Sequence, residues 1–192
     1  ENSSTIKTLV NKDLVKEVKR KVYRLNYDNT KLEVKPSMSE EQAVAVSGVD
    51  INNYLVYLLY GITGSGKTEV YMNLIEKVSN KGKSSLLLVP EISLTTQMIE
   101  RIYKRFGSRV AIFHSSLSNG EKYDEYQKIY NGEVNIVVGT RSAIFTPLKN
   151  IGLIILDEEH SSTYKQENTP KYNAIDIAKW RGKYNNCPVV LG

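Results

Sequence analysis

Eight consecutive residues, Gly61-Ile62-Thr63-Gly64-Ser65-Gly66-Lys67-Thr68, match G-x-x-x-x-G-K-[ST] without a gap. Nothing else in the chain narrows its fold so far, because this loop works only between a buried strand and the start of a helix. Both flanks comply. An apolar run over Tyr54–Tyr60 leads in, and a helical pattern over about 67–80 leads out. The glycines let backbone N–H groups turn inward onto phosphate oxygens, helped by the helix N-terminus. Lys67 suits the β and γ phosphates, and Thr68 offers a hydroxyl to Mg²⁺. The expected phosphate cradle is therefore Gly61, Thr63, Gly64, Ser65, Gly66, Lys67 and Thr68, and its ligand a nucleoside triphosphate such as ATP. The competing reading, a glycine-rich turn with an incidental lysine, needs an eight-residue coincidence in the right context.

The rest of the chain repeats the alternation. Apolar runs lie at 86–89, 110–113, 136–138, 151–156 and 189–191, separated by helical patterns at about 94–106, 118–131 and 174–184. Ser39 with Gln42, and Ser118 with Glu121, have capping-box spacing and open helices. Short apolar strands without polar alternation are buried on both faces, and helix-length connections make right-handed parallel crossovers. The expected fold is α/β, with a mainly parallel sheet flanked by helices.

A second site follows from that topology. The apolar strand over 151–156 runs into Asp157-Glu158-Glu159-His160. Asp157 falls at the strand's C-terminal end, where ligands bind in open parallel sheets, and there it suits the Mg²⁺ that bridges phosphates. Glu158 is placed to polarise an attacking water, a role contributing roughly 10²–10⁴-fold. An isolated acidic triplet is ordinarily a solvated loop; the P-loop 90 residues upstream makes the catalytic reading the better one.

Composition restricts the setting. The formal charge is +5, but residues 1–36 hold nine Lys/Arg and five Asp/Glu, leaving 17 against 16 in residues 37–192. The basic excess is thus local, and it reads equally as a solvated flank or as a nucleic-acid contact. Leu14, Val15, Val18 and Val22 fit helical spacing, while residues 18–24 also alternate as a strand. A polar stretch at 26–29 and Pro36 put a boundary near Lys35. No run approaches the ~18 apolar residues of a membrane helix, and no secretory leader is visible. One cysteine among 192 residues makes neither an internal disulfide nor a zinc site and points to a cytoplasmic setting.

With both sites in place, the chain resembles the first motor lobe of superfamily 2 helicases, and within them the PriA (primosomal protein N′) family. The strings carrying the resemblance are Gly-Ile-Thr-Gly-Ser-Gly-Lys-Thr-Glu-Val-Tyr at 61–71, Leu-Val-Pro-Glu-Ile-Ser-Leu at 88–94, Gly-Thr-Arg-Ser-Ala-Ile-Phe at 139–145, Asp-Glu-Glu-His at 157–160 and Tyr-Lys-Gln at 164–166. They cover about 37–192. Residues 4–24 are more weakly similar to the end of that family's winged-helix domain. The resemblance implies a RecA-like P-loop lobe over 37–192, a winged-helix remnant and linker over 1–36, and a 3′→5′ DNA helicase acting at stalled forks in replication restart. Implied partners are single-stranded and forked DNA, single-strand DNA-binding protein and primosome proteins, with no membrane.

It also implies residue roles. Gln42 matches the glutamine that reads the adenine edge, alongside its capping-box reading. His160 matches the residue coupling the nucleotide site to DNA. Thr140, Arg141 and Ser142 match a segment on the DNA backbone, where hydroxyls and an arginine contact phosphate without reading sequence. Glu91, Thr95 and Gln97 lie in the family's second motif. Residues 161–172 correspond to a DNA-sensing aromatic loop, in which Tyr164 and Tyr172 would stack on bases and Lys165 would meet the strand. His114 is expected to be a core or loop packing residue and Trp180 a core residue. Two departures from the pattern, Thr96 for proline and Ser37-Met38-Ser39 for Leu-Thr-Pro, touch no catalytic group. The family continues past the position of Gly192 into a second lobe bearing arginine fingers and zinc-binding cysteines. Since a missing finger costs 10³–10⁵ in rate, the 192 residues alone are expected to bind ATP weakly and barely hydrolyse it.

Other readings fare worse. A restriction-enzyme type DNA translocase is the nearest alternative. An RNA helicase would more often show Asp-Glu-Ala-Asp at 157–160. A small-molecule kinase has no use for Glu158 and His160, and a pure DNA-binding module leaves Lys67, Thr68, Asp157 and Glu158 unexplained.

Overall fold

The computed structural model describes residues 3–16, 18, 22–25, 36–62 and 64–192. Among these described residues, six parallel strands form one sheet: β1 (Val56–Leu58), β2 (Ser84–Leu88), β3 (Val110–Phe113), β4 (Ile136–Gly139), β5 (Ile151–Leu156) and β8 (Val189–Leu191). Their order is β1-β8-β5-β2-β4-β3. A two-residue antiparallel pair, β6 (Lys165–Gln166) with β7 (Tyr172–Asn173), stands apart.

Side chains alternate across the sheet and so build two cores. On one face Leu87, Val89, Ile112, Val138 and Ile155 pack against Val70, Leu74 and Ile75 of α3 (Lys67–Ser79) and Ile102 and Phe106 of α4 (Thr96–Phe106). The helix α2 (Glu40–Gly48) lies outside α3 on that face. On the other face Leu86, Leu88, Val137, Ile154 and Leu156 meet Ile129 of α5 (Asn119–Asn131) and Ala174 and Ala178 of α6 (Ala174–Tyr184). Strands β2, β4 and β5 are buried along their whole length, as apolar strands between two helical layers must be.

Local chemistry sets the helix boundaries. Ser39 and Ser118 each complete a capping box, with Gln42 and Glu121. α4 begins at Thr96, two residues later than its apolar pattern suggests, because Glu91–Ser93 first makes a 3₁₀ turn and the Thr95 side chain then accepts the Met98 N–H at 3.2 Å. Gly139 has no room for a side chain: a Cβ would lie 2.1 Å from the Phe113 carbonyl oxygen, so β3 and β4 close tightly at their ends.

Three expectations are corrected. β1 is only three residues long and takes an edge position with one neighbour, which leaves Val56 and Leu58 exposed. Trp180 is not in the core; it is 66% exposed and stacks on Tyr184 along the outer side of α6. The N-terminal helix, α1, spans Ser3–Asn11 and stops before Leu14, Val15, Val18 and Val22, all of which are exposed. Residues 19–21, the stretch at 26–29 and the boundary near Lys35 lie outside the described residues.

Residues 22–25 are fastened to α5. The Arg24 N–H donates to Asp124 Oδ2 at 3.0 Å and its guanidinium to the same oxygen at 2.8 Å. The Tyr23 hydroxyl donates to Glu133 at 2.6 Å, while the Lys128 ammonium sits 4.7 Å from the Tyr23 ring centroid.

Candidate functional site

The loop after β1 is shaped by two glycines with left-handed backbones, Gly64 and Gly66, each at φ 84°. Lys67 opens α3 and donates its ammonium to the Gly61 carbonyl at 2.9 Å, folding the side chain back over the loop. Behind Gly66 stands Gln42. Its Oε1 accepts the Ser39 N–H at 3.0 Å and its amide donates to the Gly66 carbonyl at 3.4 Å. The residue therefore caps α2 and braces the loop from the same position. Thr63 lies outside the described residues.

Because all six strands run the same way, the ends of β1 and β5 open on the same side of the sheet. One cleft is lined by Gly61, Gly64, Gly66, Lys67 and Thr68 on one wall and by Asp157, Glu158 and His160 on another. Ser93, Thr95, Gln97 and Arg101 form a third wall, beside the start of α4. The loop and the acidic segment, 90 residues apart in sequence, are thereby brought face to face. Glu158 has φ 49°, a strained left-handed conformation for a residue with a side chain. Its Oε1 accepts from the Ser93 hydroxyl at 3.5 Å.

Asp157 is gripped from two sides by tyrosines. The Tyr71 hydroxyl donates to its Oδ1 at 2.9 Å, and the Tyr164 hydroxyl donates to its backbone carbonyl at 2.6 Å and to that of Leu88 at 3.1 Å. Burial, reinforced by the carboxylate of Asp157, pushes both phenols well above the ordinary tyrosine range and keeps them protonated donors. Thr68 and Asp157, which both line the cleft, carry a hydroxyl and a carboxylate, hard oxygen donors of the kind that would suit Mg²⁺ if a nucleotide supplied the remaining ligands.

The family-implied DNA residues divide. Ser142 and Lys165 are exposed. Arg141 donates to the carbonyls of Thr163 at 3.0 Å and Lys165 at 2.7 Å, tying the segment after β4 to the loop after β5, and it lies 5.7 Å from the Tyr172 ring centroid. Tyr172 is half-buried and packs edge-on against Phe145. Two expectations fail. Tyr164 is 1% exposed, so its ring is a core element and has no face to offer a base. Thr140 is 3% exposed, and its N–H donates to the Phe113 carbonyl at 3.1 Å, so it anchors the segment from inside. His114 is half-buried; burial lowers its pKa against the pull of Glu121 and Glu91, which suits the packing role expected of it. Burial also pushes the Cys187 thiol up to about 11, leaving it unreactive at neutral pH.

Sequence patterns did not reveal Tyr71, nor the ion-pair cluster behind the phosphate loop. There the buried Glu69 meets Arg101 at 3.1 Å and Arg105 at 3.3 Å, joining α3 to α4. The available signal was position: Tyr71 is four residues after Lys67, on the buried stripe of α3, where a polar tip must find a partner.

Comparison with known proteins agrees with this geometry. The model of the DEAD/DEAH box helicase family matches residues 13–184. The chain is 52% identical to replication restart protein PriA of Bacillus subtilis (strain 168), over the whole chain and 24% of the relative's length. It is 46% identical to that of Synechocystis sp. (strain ATCC 27184 / PCC 6803 / Kazusa), over the whole chain and 23% of the relative's length. It thus spans about a quarter of the curated relatives it matches. Among solved structures, the UvsW helicase from bacteriophage T4 superposes with a TM-score of 0.56 at 17% identity, over 99% of this chain and 69% of the other; at that identity the likeness speaks for the fold.

Proposed function

Since the chain belongs to the DEAD/DEAH box helicase family, we propose that it is the ATP-binding and hydrolysing motor lobe of a 3′→5′ DNA helicase that acts at stalled forks in replication restart and primosome assembly. The observation that carries this reading is the cleft in which Lys67 and Thr68 face Asp157, Glu158 and His160. The strong similarity to replication restart proteins adds the restart role. The lobe proper occupies 37–192, with 1–36 as winged-helix remnant and linker.

Each group then has a task. The loop N–H groups and Lys67 hold the β and γ phosphates, and Gln42, already against Gly66, reads the adenine edge. Thr68 and Asp157 would hold Mg²⁺, which when bound offsets the charge on the transferring phosphoryl group. Glu158 orients the attacking water and accepts its proton. His160 and Arg141 pass the state of the cleft to the DNA face. Arg141 holds two loop carbonyls through one nitrogen, so its other nitrogens are available for a backbone phosphate, beside Ser142 and Lys165. Single-strand DNA-binding protein and primosome proteins are the proposed partners, the cytoplasm is the proposed setting, and zinc binding is assigned outside these 192 residues. No helix among the described residues is long and apolar enough to cross a membrane.

The test is the ATPase activity of the whole protein, wild type against Lys67→Ala, with and without forked DNA. Stimulation by DNA in the wild type and its loss in Lys67→Ala are expected. Activity that survives Lys67→Ala, or that ignores DNA, overturns the assignment.

A further inference from the structure

Asp157 must present one oxygen to the nucleotide cleft, yet a carboxylate on a single χ1–χ2 hinge at a strand end is free to turn. Two hydrogen bonds remove that freedom. Oδ1 accepts from the Tyr71 hydroxyl at 2.9 Å and from the Glu158 N–H at 3.1 Å. With Oδ1 occupied on the inner side, Oδ2 is the oxygen left for the cleft, which Asp157 lines together with Thr68.

The surroundings of Tyr71 leave its hydroxyl little alternative. The ring is 0% exposed on the sheet-facing side of α3. Across from it the backbone of Gly192 is fixed: its N–H donates to the Leu156 carbonyl at 2.9 Å and its carbonyl accepts from the Glu159 N–H at 2.8 Å. Gly192 lies so close that a Cβ there would sit 1.9 Å from the Tyr71 hydroxyl. The hydroxyl is thus confined between the end of β8 and Asp157. A buried hydroxyl is retained in a core only where its hydrogen bond is worth its desolvation, and phenylalanine would fill the same volume.

We infer that Tyr71 is a positioning residue for the metal-binding carboxylate: by holding Oδ1 of Asp157 it sets the Oδ2 of that group toward the Mg²⁺ that accompanies the nucleotide. Tyr71 touches neither nucleotide nor metal; it acts through Asp157. The inference rests on the proposed nucleotide site. Second-layer partners of metal ligands typically contribute 10–100-fold to metal affinity.

The experiment is binding of a fluorescent ATP analogue to the whole protein, wild type and Tyr71→Phe, across a Mg²⁺ titration and in excess EDTA. In Tyr71→Phe the Mg²⁺ concentration at half-effect is expected to rise about tenfold, while affinity in EDTA stays within about twofold because the phosphate loop is untouched. If the wild type shows no Mg²⁺-dependent nucleotide binding, the proposed nucleotide site itself fails. If the wild type shows it and Tyr71→Phe titrates identically, or loses equal affinity in EDTA, the positioning role alone is overturned.

Discussion

Gly66 shows how much one position decides. Its φ of 84° would strain any side chain, and a Cβ there would lie 2.4 Å from the Gln42 amide nitrogen. Gly64 has the same φ with open space around it. The left-handed conformation costs a non-glycine residue about 1–2 kcal/mol, so Gly64→Ala is expected to lose about that much in thermal denaturation. Gly66→Ala is expected to lose more, and to bind nucleotide at least about tenfold more weakly as Gln42 is pushed from its capping position. In a Gln42→Ala background the stability difference between the two glycine variants should vanish; its persistence would show that the Gln42 contact is not the cause. Single side chains were legible from sequence in proportion to how local their chemistry is. Lys67 and Thr68 act through the loop they sit in. Tyr164 and Trp180 were misjudged because an aromatic ring suits a core, a stack or a surface equally well, and only the packing chooses.

The helices carry their own boundary signals, and those signals were accurate wherever a side chain meets its own backbone. The capping boxes at Ser39 and Ser118 were found as expected. At α4 the family's proline is Thr96, yet Thr95 at φ −80° and ψ 159° already has the extended backbone that precedes a proline, and a first-turn N–H lacks an intrahelical partner in any case. Thr96→Pro is therefore expected to stabilise the protein by about 0.4–1 kcal/mol. A melting temperature raised by about 1–4 °C checks this; a fall would mean the first turn of α4 is not proline-compatible. The attachment of residues 22–25 to α5 was not legible, since Arg24 and Asp124 are 100 residues apart. Burial alone would raise the Asp124 pKa, but the hydrogen bonds from Arg24 and its charge outweigh that and lower it. A depressed carboxylate pKa stabilises the contact above the ordinary value of about 3.8 and loses that stabilisation as the pH falls through the folded-state value. Protection of the Arg24 amide against hydrogen exchange is expected to vanish on that acid side, and Asp124→Asn to lose it already at neutral pH. Equal protection in both forms would deny Asp124 this role.

Over the whole molecule the charge is small where the chemistry is. With 17 Lys/Arg against 16 Asp/Glu, residues 37–192 carry little net charge, and on the proposed function their contact with DNA would rest on a few placed groups such as Arg141 and Lys165 more than on a net positive field. The logarithmic salt slope of single-strand binding by 37–192 in its native context should then be shallow, about 3 or less, corresponding to roughly four phosphates. A slope of about 6 or more, measured by titrating salt against a labelled oligonucleotide, would mean that many more cations than these few meet the strand, and would overturn this prediction. The sequence by itself determined the glycine-rich phosphate-loop motif, the succession of strands and helices along 37–192, the parallel sheet and the acidic strand end, because each is written in contiguous residues whose context favours one reading over its rivals. The tertiary structure alone decided which groups hold those residues in place: Tyr71 and Tyr164 on Asp157, Gln42 on Gly66, Arg141 on the loop after β5. These contacts join residues 7 to 86 positions apart, and spacing in the chain says nothing about neighbours that only the packing of the sheet and its helices brings within hydrogen-bond distance.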